Sequence, residues 1–310
     1  MWVFRLLCTI LPIWGAFEPP GPGASFPQHR NQATHMSFPE LQALSASLAA
    51  LTASVAPRII ALQGRDGREL SGFIWRTGLA VTADEVLEGD DEVAVLGADG
   101  KVAAAQLIGR DSSTDVALLK LETGEFPDWA HAALPVPGSL AVLVGRGEDS
   151  VLSGLAAVTE VGAAWRSMRG GEIDARITLG LRLSPRSEAG AVVAPDGSLI
   201  GMAVTGARRR TLAIPASTIA RSVATLSEKG YIPRGWLGVS LHPLGQDGGA
   251  IVVGLEPESP AANGGFLVGD IITTWGGAAV HAVSDVADRL NAGTVGKTIS
   301  LGVQRGGSAL

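Results

Sequence analysis

Residues 58–76 read Arg-Ile-Ile-Ala-Leu-Gln-Gly-Arg-Asp-Gly-Arg-Glu-Leu-Ser-Gly-Phe-Ile-Trp-Arg. Two apolar-rich runs, Arg58 to Leu62 and Glu69 to Arg76, flank Asp66-Gly67, a pair that readily takes the left-handed backbone of a tight turn. The stretch predicts a β-hairpin. The same style continues through Glu92 to Leu96, a turn at Asp99-Gly100, Lys101 to Ile108, Asp115 to Leu121, Ser139 to Val144, Ile177 to Leu183, Gly190 to Val193 and Leu199 to Val204. Short strands at this spacing predict an all-β body of barrel type. The 41 Gly and 17 Pro fall between these runs without a fixed period, so they punctuate turns.

Upstream of the hairpin the period is helical. Ser37 with Glu40 has the form of a capping box, Pro39 suits the first turn, and Leu41, Leu44, Leu48, Leu51 and Val55 make one narrow apolar stripe that ends at Pro57. The stripe either packs on the next domain or forms a short oligomer seam. Residues 1–36 are an apolar leader and a linker. The uncharged run Leu6 to Phe17 contains Pro12 and is too short to span a bilayer, so it reads as a signal-peptide core or a plain apolar extension. Residues 18–36, rich in Pro, Gly, Gln and Asn, predict disorder. Downstream, Ala216 to Leu226 is amphipathic, Lys229 to Arg234 is a polar boundary, and a second domain begins near Gly235. A chain of 310 residues accommodates two such domains.

The bulk numbers exclude several functions. A formal charge of -6 and the absence of a long basic run argue against nucleic acid, and the one cluster, Arg208 to Arg210, reads as a solvated loop. The single cysteine, Cys8, lies in the leader, so the folded part has no disulfide and no thiolate metal site. No cofactor motif is present, and no metal site is predicted.

Three blocks resemble the HtrA/Deg proteases. Ser71 to Trp75 is similar to their SGF-I strand. Val81-Thr82-Ala83-Asp84-Glu85-Val86-Leu87-Glu88-Gly89 is similar to LTNNHVVEG, which places the family's general-base His on Glu85. Asp111 to Lys120 resembles D-x-x-T-D-L-A-V-L-K and places the triad Asp on Asp115. Arg186 to Val193, in register with Asp196-Gly197-Ser198-Leu199-Ile200-Gly201 and with Leu212 to Pro215, resembles G-N-S-G-G-P-L-V and places the nucleophile on Glu188. Arg186 and Ala189 then stand where the family has Gly. The resemblance implies a trypsin-like double β-barrel over residues 57–228, preceded by a helix over 37–56.

Over residues 235–310 the resemblance is to a PDZ domain, a β-rich α+β fold. Gly235-Trp236-Leu237-Gly238-Val239 is similar to its carboxylate-binding loop, and Glu256 to Ala262 with Gly265 to Ile272 to its second signature. A PDZ domain binds a chain end by strand addition. The resemblance therefore implies a peptide groove formed by Trp236, Leu237, Gly238 and Val239, with Val286 and Leu290 on the predicted helix Ser284 to Leu290 as pocket residues or, equally, as core.

Serine-protease chemistry needs a hydroxyl nucleophile, an imidazole, an orienting acid and two backbone N–H groups for the oxyanion. Only the acid, Asp115, is present in register. Glu188 is a poor nucleophile whose charge would repel the oxyanion, and Glu85 is a weak base near neutral pH. A one-residue slip would offer Ser187 as nucleophile but supplies no histidine. Of the five histidines, at 29, 35, 131, 242 and 281, only His131 falls in the barrel, in a segment without a family role.

Convergence of Glu85, Asp115 and Glu188 would be relieved by the side chains turning outward into solvent, the plainest reading, or by a proton, by an Arg such as Arg186, or by a hard cation. The expected function is that of a peptide-binding pseudo-protease, a recognition, scaffold or chaperone-like protein of quality control. The alternatives are an active serine endopeptidase with an unusual site and a regulatory subunit of an active paralogue. The family implies a homotrimer and a periplasmic location.

Overall fold

The computed structural model describes residues 38–64, 67–87, 92–167, 169–245 and 248–310. The leader and linker, Ser37, Asp66, Glu88 and Gly89 lie outside the described residues. The chain divides into two units, residues 1–42 and 43–310, of which the first contributes only the opening of helix α1 (Pro39–Val55) to the described residues.

Six strands close the first barrel: β1 (Ile59–Gln63), β2 (Glu69–Arg76), β3 (Leu79–Thr82), β4 (Glu92–Leu96), β5 (Val102–Asp111) and β6 (Val116–Lys120), in the order β1-β2-β3-β6-β5-β4. The opening hairpin pairs Ile59 with Phe73 and Gln63 with Glu69. Its two strands bury nearly every residue, with no alternation, because both of their faces are covered. Phe73 is fully buried and meets Trp129 edge-on, ring centroids 6.0 Å apart.

The second half carries β7 (Leu140–Arg146), β8 (Val151–Gly162), a two-stranded hairpin of β9 (Trp165–Arg166) and β10 (Glu172–Ile173), then β11 (Arg176–Leu179), β12 (Ala191–Val193), β13 (Leu199–Thr205) and β14 (Thr211–Pro215). Six of these close the second barrel in the order β11-β14-β13-β12-β7-β8. The longest strand, β8, was not legible in sequence: Val-Leu-Ser-Gly-Leu-Ala-Ala-Val-Thr-Glu-Val-Gly is too rich in small residues to look like a strand. The run expected to continue to Leu183 leaves the sheet after Leu179, since Pro185 begins a 3₁₀ turn over Pro185–Ser187.

Helix α2 (Ala216–Lys229) buries Ile219, Val223 and Leu226 in the core of the first barrel and ends at Gly230 with φ 72°. Gly109 on β5 permits this approach, since a Cβ there would lie 2.1 Å from the Gly230 carbonyl oxygen. The stripe of α1 is used unevenly. Val55 is buried and Leu48 and Leu51 pack on the same core, whereas Leu41 and Leu44 are exposed.

The last part of the chain is a twisted sheet in the order β15 (Val239–Pro243), β16 (Ala250–Leu255), β17 (Ile271–Trp275), β19 (Leu301–Arg305), β20 (Ser308–Ala309), with β18 (Ala278–Ala279) paired to β17. Helices α3 (Pro260–Asn263) and α4 (Val283–Arg289) cover it, and Ala250, Val252, Ile272, Trp275, Val280 and Val286 form its core. The protein is thus mainly β, two closed six-stranded barrels followed by a β-rich α+β domain.

Ser71 on β2 ties the barrels together. Its hydroxyl donates to the Arg186 carbonyl at 2.6 Å and accepts from the Arg146 N–H at 2.9 Å, while its own N–H donates to the Glu188 carbonyl at 2.9 Å. Ser71→Ala would strand a buried donor and an acceptor, and should cost about 1–3 kcal/mol in urea unfolding.

Candidate functional site

The site is built from the turn between β5 and β6. Asp111, buried, accepts hydrogen bonds from the Ser113 N–H and hydroxyl, from the Thr114 hydroxyl at 2.7 Å and from the Ser222 hydroxyl on α2 at 2.7 Å. This folds residues 111–114 into a tight turn and delivers Asp115 with a left-handed backbone, φ 61°. The Asp115 carboxylate accepts the backbone N–H of Glu85 at 2.7 Å.

Burial pushes the Asp115 carboxyl up to about 7; the negative charges of Glu85, Asp84 and Glu188 add to the shift, and the Glu85 N–H opposes it. The three sequence-predicted acids are therefore within electrostatic reach of one another, and Asp84 joins them. Asp84, buried, is paired with Arg110 at 2.7 Å. The Glu85 side chain is 66% exposed, with Arg169 from the β9–β10 loop at 3.8 Å.

Glu188 turns toward the end of β13. Its carboxylate accepts the Thr205 N–H at 2.9 Å and lies 3.2 Å from the Thr205 hydroxyl. Its own N–H, one of the two that would form an oxyanion hole, donates to the Pro185 carbonyl at 3.2 Å and so is taken up by the 3₁₀ turn. Ala189, sealed in the interior, has φ 63°, a left-handed conformation that glycine adopts freely and alanine does not. Ser187 is buried. His131 lies on Trp75, ring centroids 5.4 Å apart, in a bridge to Leu199.

One expectation is corrected here. Arg186 does not serve the carboxylates, because it pairs with Glu69 at 2.9 Å; Arg169 and Arg110 stand by them instead. No group of three or more His, Cys, Asp or Glu among the described residues could hold a metal ion. The roles of Arg169 and Thr205 carried no sequence signal, since both arrive from segments distant in the chain.

In the last domain the loop before β15 is held from behind. The Leu237 carbonyl accepts from the Ala261 N–H at 3.0 Å and the Gly238 carbonyl from the Glu256 N–H at 2.8 Å. Gly238 has φ 72°, and a Cβ there would lie 2.2 Å from Ser259 Cβ, so glycine is required. Trp236 is 56% exposed beside it. Leu237 and Val239 are half-buried, and β15 is an open sheet edge. Of the two helix positions, Val286 is 1% exposed and belongs to the core, while Leu290 is half-buried against Gly235.

The comparisons agree with this geometry. The trypsin-like peptidase domain model matches residues 70–202 and the PDZ domain model residues 235–310. A periplasmic DegP-like serine endoprotease of Bartonella henselae is 30% identical over 263 residues, 76% of this chain and 50% of that one. The serine protease HhoB of Synechocystis is 28% identical over 76% of this chain and 63% of its own length. This chain therefore spans between half and two thirds of these relatives. Among solved structures, the HtrA-type protease AlgW with a decapeptide superposes with TM-score 0.67 at 23% identity, covering 85% of this chain and 96% of that one. The serine endoprotease from Yersinia pestis superposes with TM-score 0.67 at 21% identity, over 85% and 94%. The molecule is a trypsin-like peptidase fold joined to a PDZ domain. It belongs to the HtrA/Deg family, whose named relatives here are serine endoproteases.

A carboxyl whose folded pKa of about 7 lies above its unfolded value of about 3.9 stabilises the fold fully below the unfolded value, and that stability is lost as pH rises through 7. Asp115→Asn keeps an acceptor for the Glu85 N–H and removes the titration. Its stability relative to the parent should therefore improve steadily from pH 4 to pH 8 in thermal unfolding; a difference independent of pH would contradict the assignment.

Proposed function

We propose that this chain is a catalytically inert HtrA-type protein. Its PDZ domain (235–310) captures the C-termini or exposed apolar segments of unfolded polypeptides, and its double barrel (57–228) serves as scaffold in quality control of the bacterial cell envelope. The observation that carries the reading is the state of Glu188: at the nucleophile position stands a carboxylate bound to Thr205, with its N–H committed to the Pro185 carbonyl. The reading is supported at the base position as well, where Glu85 faces solvent beside Arg169. Ser187 gains nothing from its neighbourhood, since no histidine accompanies it.

The recognition half rests on the PDZ match, the glycine-dependent loop with its carbonyls turned inward, and the open edge of β15. Trp236, Leu237, Gly238, Val239 and Leu290 are the groove residues of this reading. The envelope location follows the names of relatives that are called periplasmic. A homotrimer is the assembly that the family implies; no helix among the described residues is long and apolar enough to cross a membrane.

Hydrolysis of unfolded casein by the whole chain should stay at background, with no response to a serine-directed phosphonate or to Ser187→Ala. Cleavage blocked by the phosphonate and abolished in Ser187→Ala would establish the active-endopeptidase reading instead. Peptides with a free C-terminus should bind with a change in Trp236 fluorescence, and amidating that terminus should weaken them about tenfold or more, a loss of about 1.4 kcal/mol.

The turn geometry makes a further prediction. Glu85→His with Glu188→Ser rebuilds the triad's side chains but leaves the Pro185–Ser187 turn, so activity should remain at trace level. Adding Arg186→Gly and Ala189→Gly, which frees the oxyanion N–H, should raise it by about 10²–10³-fold.

A further inference from the structure

The tip of the β13–β14 hairpin carries Arg208, Arg209 and Arg210 side by side. Arg208 and Arg209 both have left-handed backbones, with φ 56° and 58°. Side-chain-bearing residues resist this conformation, which glycine or asparagine would hold more easily. Three adjacent like charges add repulsion. Among the described residues the tip forms a single ion pair, Arg210 with Glu160 at 3.8 Å, and both partners are largely exposed. The conformation is the one a two-residue hairpin turn demands, closed by the Arg210 N–H on the Ala207 carbonyl at 3.3 Å, so among the described residues it is the charge repulsion that is left without relief.

A recess of about 530 Å³ opens at the base of the same hairpin. Arg210 and Arg182 line it with Leu179, Leu181 and Thr159, together with Glu160, whose carboxylate already accepts from the Thr178 hydroxyl at 3.2 Å and pairs with Arg210. Arg182 is exposed and makes no ion pair among the described residues. Four arginines, three of them without a carboxylate partner among the described residues, thus lie at the tip and in the lining of a partly apolar recess, on a protein whose net charge is -6. Guanidinium groups bind carboxylates in bidentate pairs. The apolar floor suits the carbon stems and intervening side chains of a polypeptide. The overall negative charge and the short reach of the patch disfavour a long phosphate backbone.

We propose that this arginine tip and recess form a second polypeptide-binding site, specific for segments rich in Asp and Glu and independent of the PDZ groove. An acidic segment would neutralise Arg182, Arg208 and Arg209, and its side chains would occupy the recess beside Leu179 and Leu181. Binding here needs no free C-terminus, which separates it from capture by the PDZ domain.

The test is fluorescence anisotropy of a labelled oligo-glutamate peptide, amidated at its C-terminus, with the whole chain at low salt. The expected result is saturable binding that weakens about tenfold or more in Arg182→Gln/Arg208→Gln/Arg209→Gln and fades toward about 0.5 M salt. Arg208→Gly/Arg209→Gly should lose affinity without lowering the unfolding temperature, because it removes the charges and the strain together. Absence of binding would overturn the proposal. So would equal binding by the triple variant, or tighter binding of a single-stranded oligonucleotide of matched charge.

Discussion

The buried carboxylate of Asp111 is the contact on which the rest of the site depends. Hydroxyl and amide donors from Ser113, Thr114 and Ser222 surround it. A carboxylate kept from water keeps its charge only if donors surround it; otherwise it takes up a proton. That demand fixes the conformation of the 111–114 turn and locks α2 onto the first barrel through Ser222. The left-handed backbone at Asp115 follows from it, as does the reach of Asp115 to the Glu85 N–H. Asp115 thereby has a structural reason for its position, independent of any catalytic role.

The opposite side of the cleft is held by its own local contacts. Where a nucleophile loop would keep its N–H groups free and aimed at developing charge, the Pro185–Ser187 turn closes on itself. Glu188 then completes the end of β13 by binding Thr205. These bonds satisfy the polar groups of the turn and of the end of β13 locally, which stabilises both. The pKa of Asp115 is raised first by burial, with the negative charges of Glu85, Asp84 and Glu188 adding to the shift.

Much of this was legible in the chain itself. The hairpin Arg58–Arg76, the acid at position 115 and the carboxylates at 85 and 188 all carried local signals, because turn pairs and motif spacing survive in one dimension. Strand β8 did not, since its small residues pack by neighbourhood and not by pattern. Arg186 was assigned to the carboxylates by proximity in sequence, yet a side chain on a turn is aimed by that turn, and this one is aimed at Glu69. Val286 shows the same limit in the last domain: helical spacing identifies an apolar face, but only packing decides whether a position on it lines a groove or fills a core.

The open edge of β15 has a further consequence for how the protein behaves in company. An unpaired strand edge invites any extended chain, including another copy of the same edge. Here the edge runs only from Val239 to Pro243, and its last residue has no N–H to offer. A guest strand can therefore register with a few residues and no more, held between the glycine loop at one end and proline at the other. The domain is exposed enough to accept a single terminus and too short at its rim to seed a growing sheet, a useful property in a protein whose work would bring it among unfolded chains.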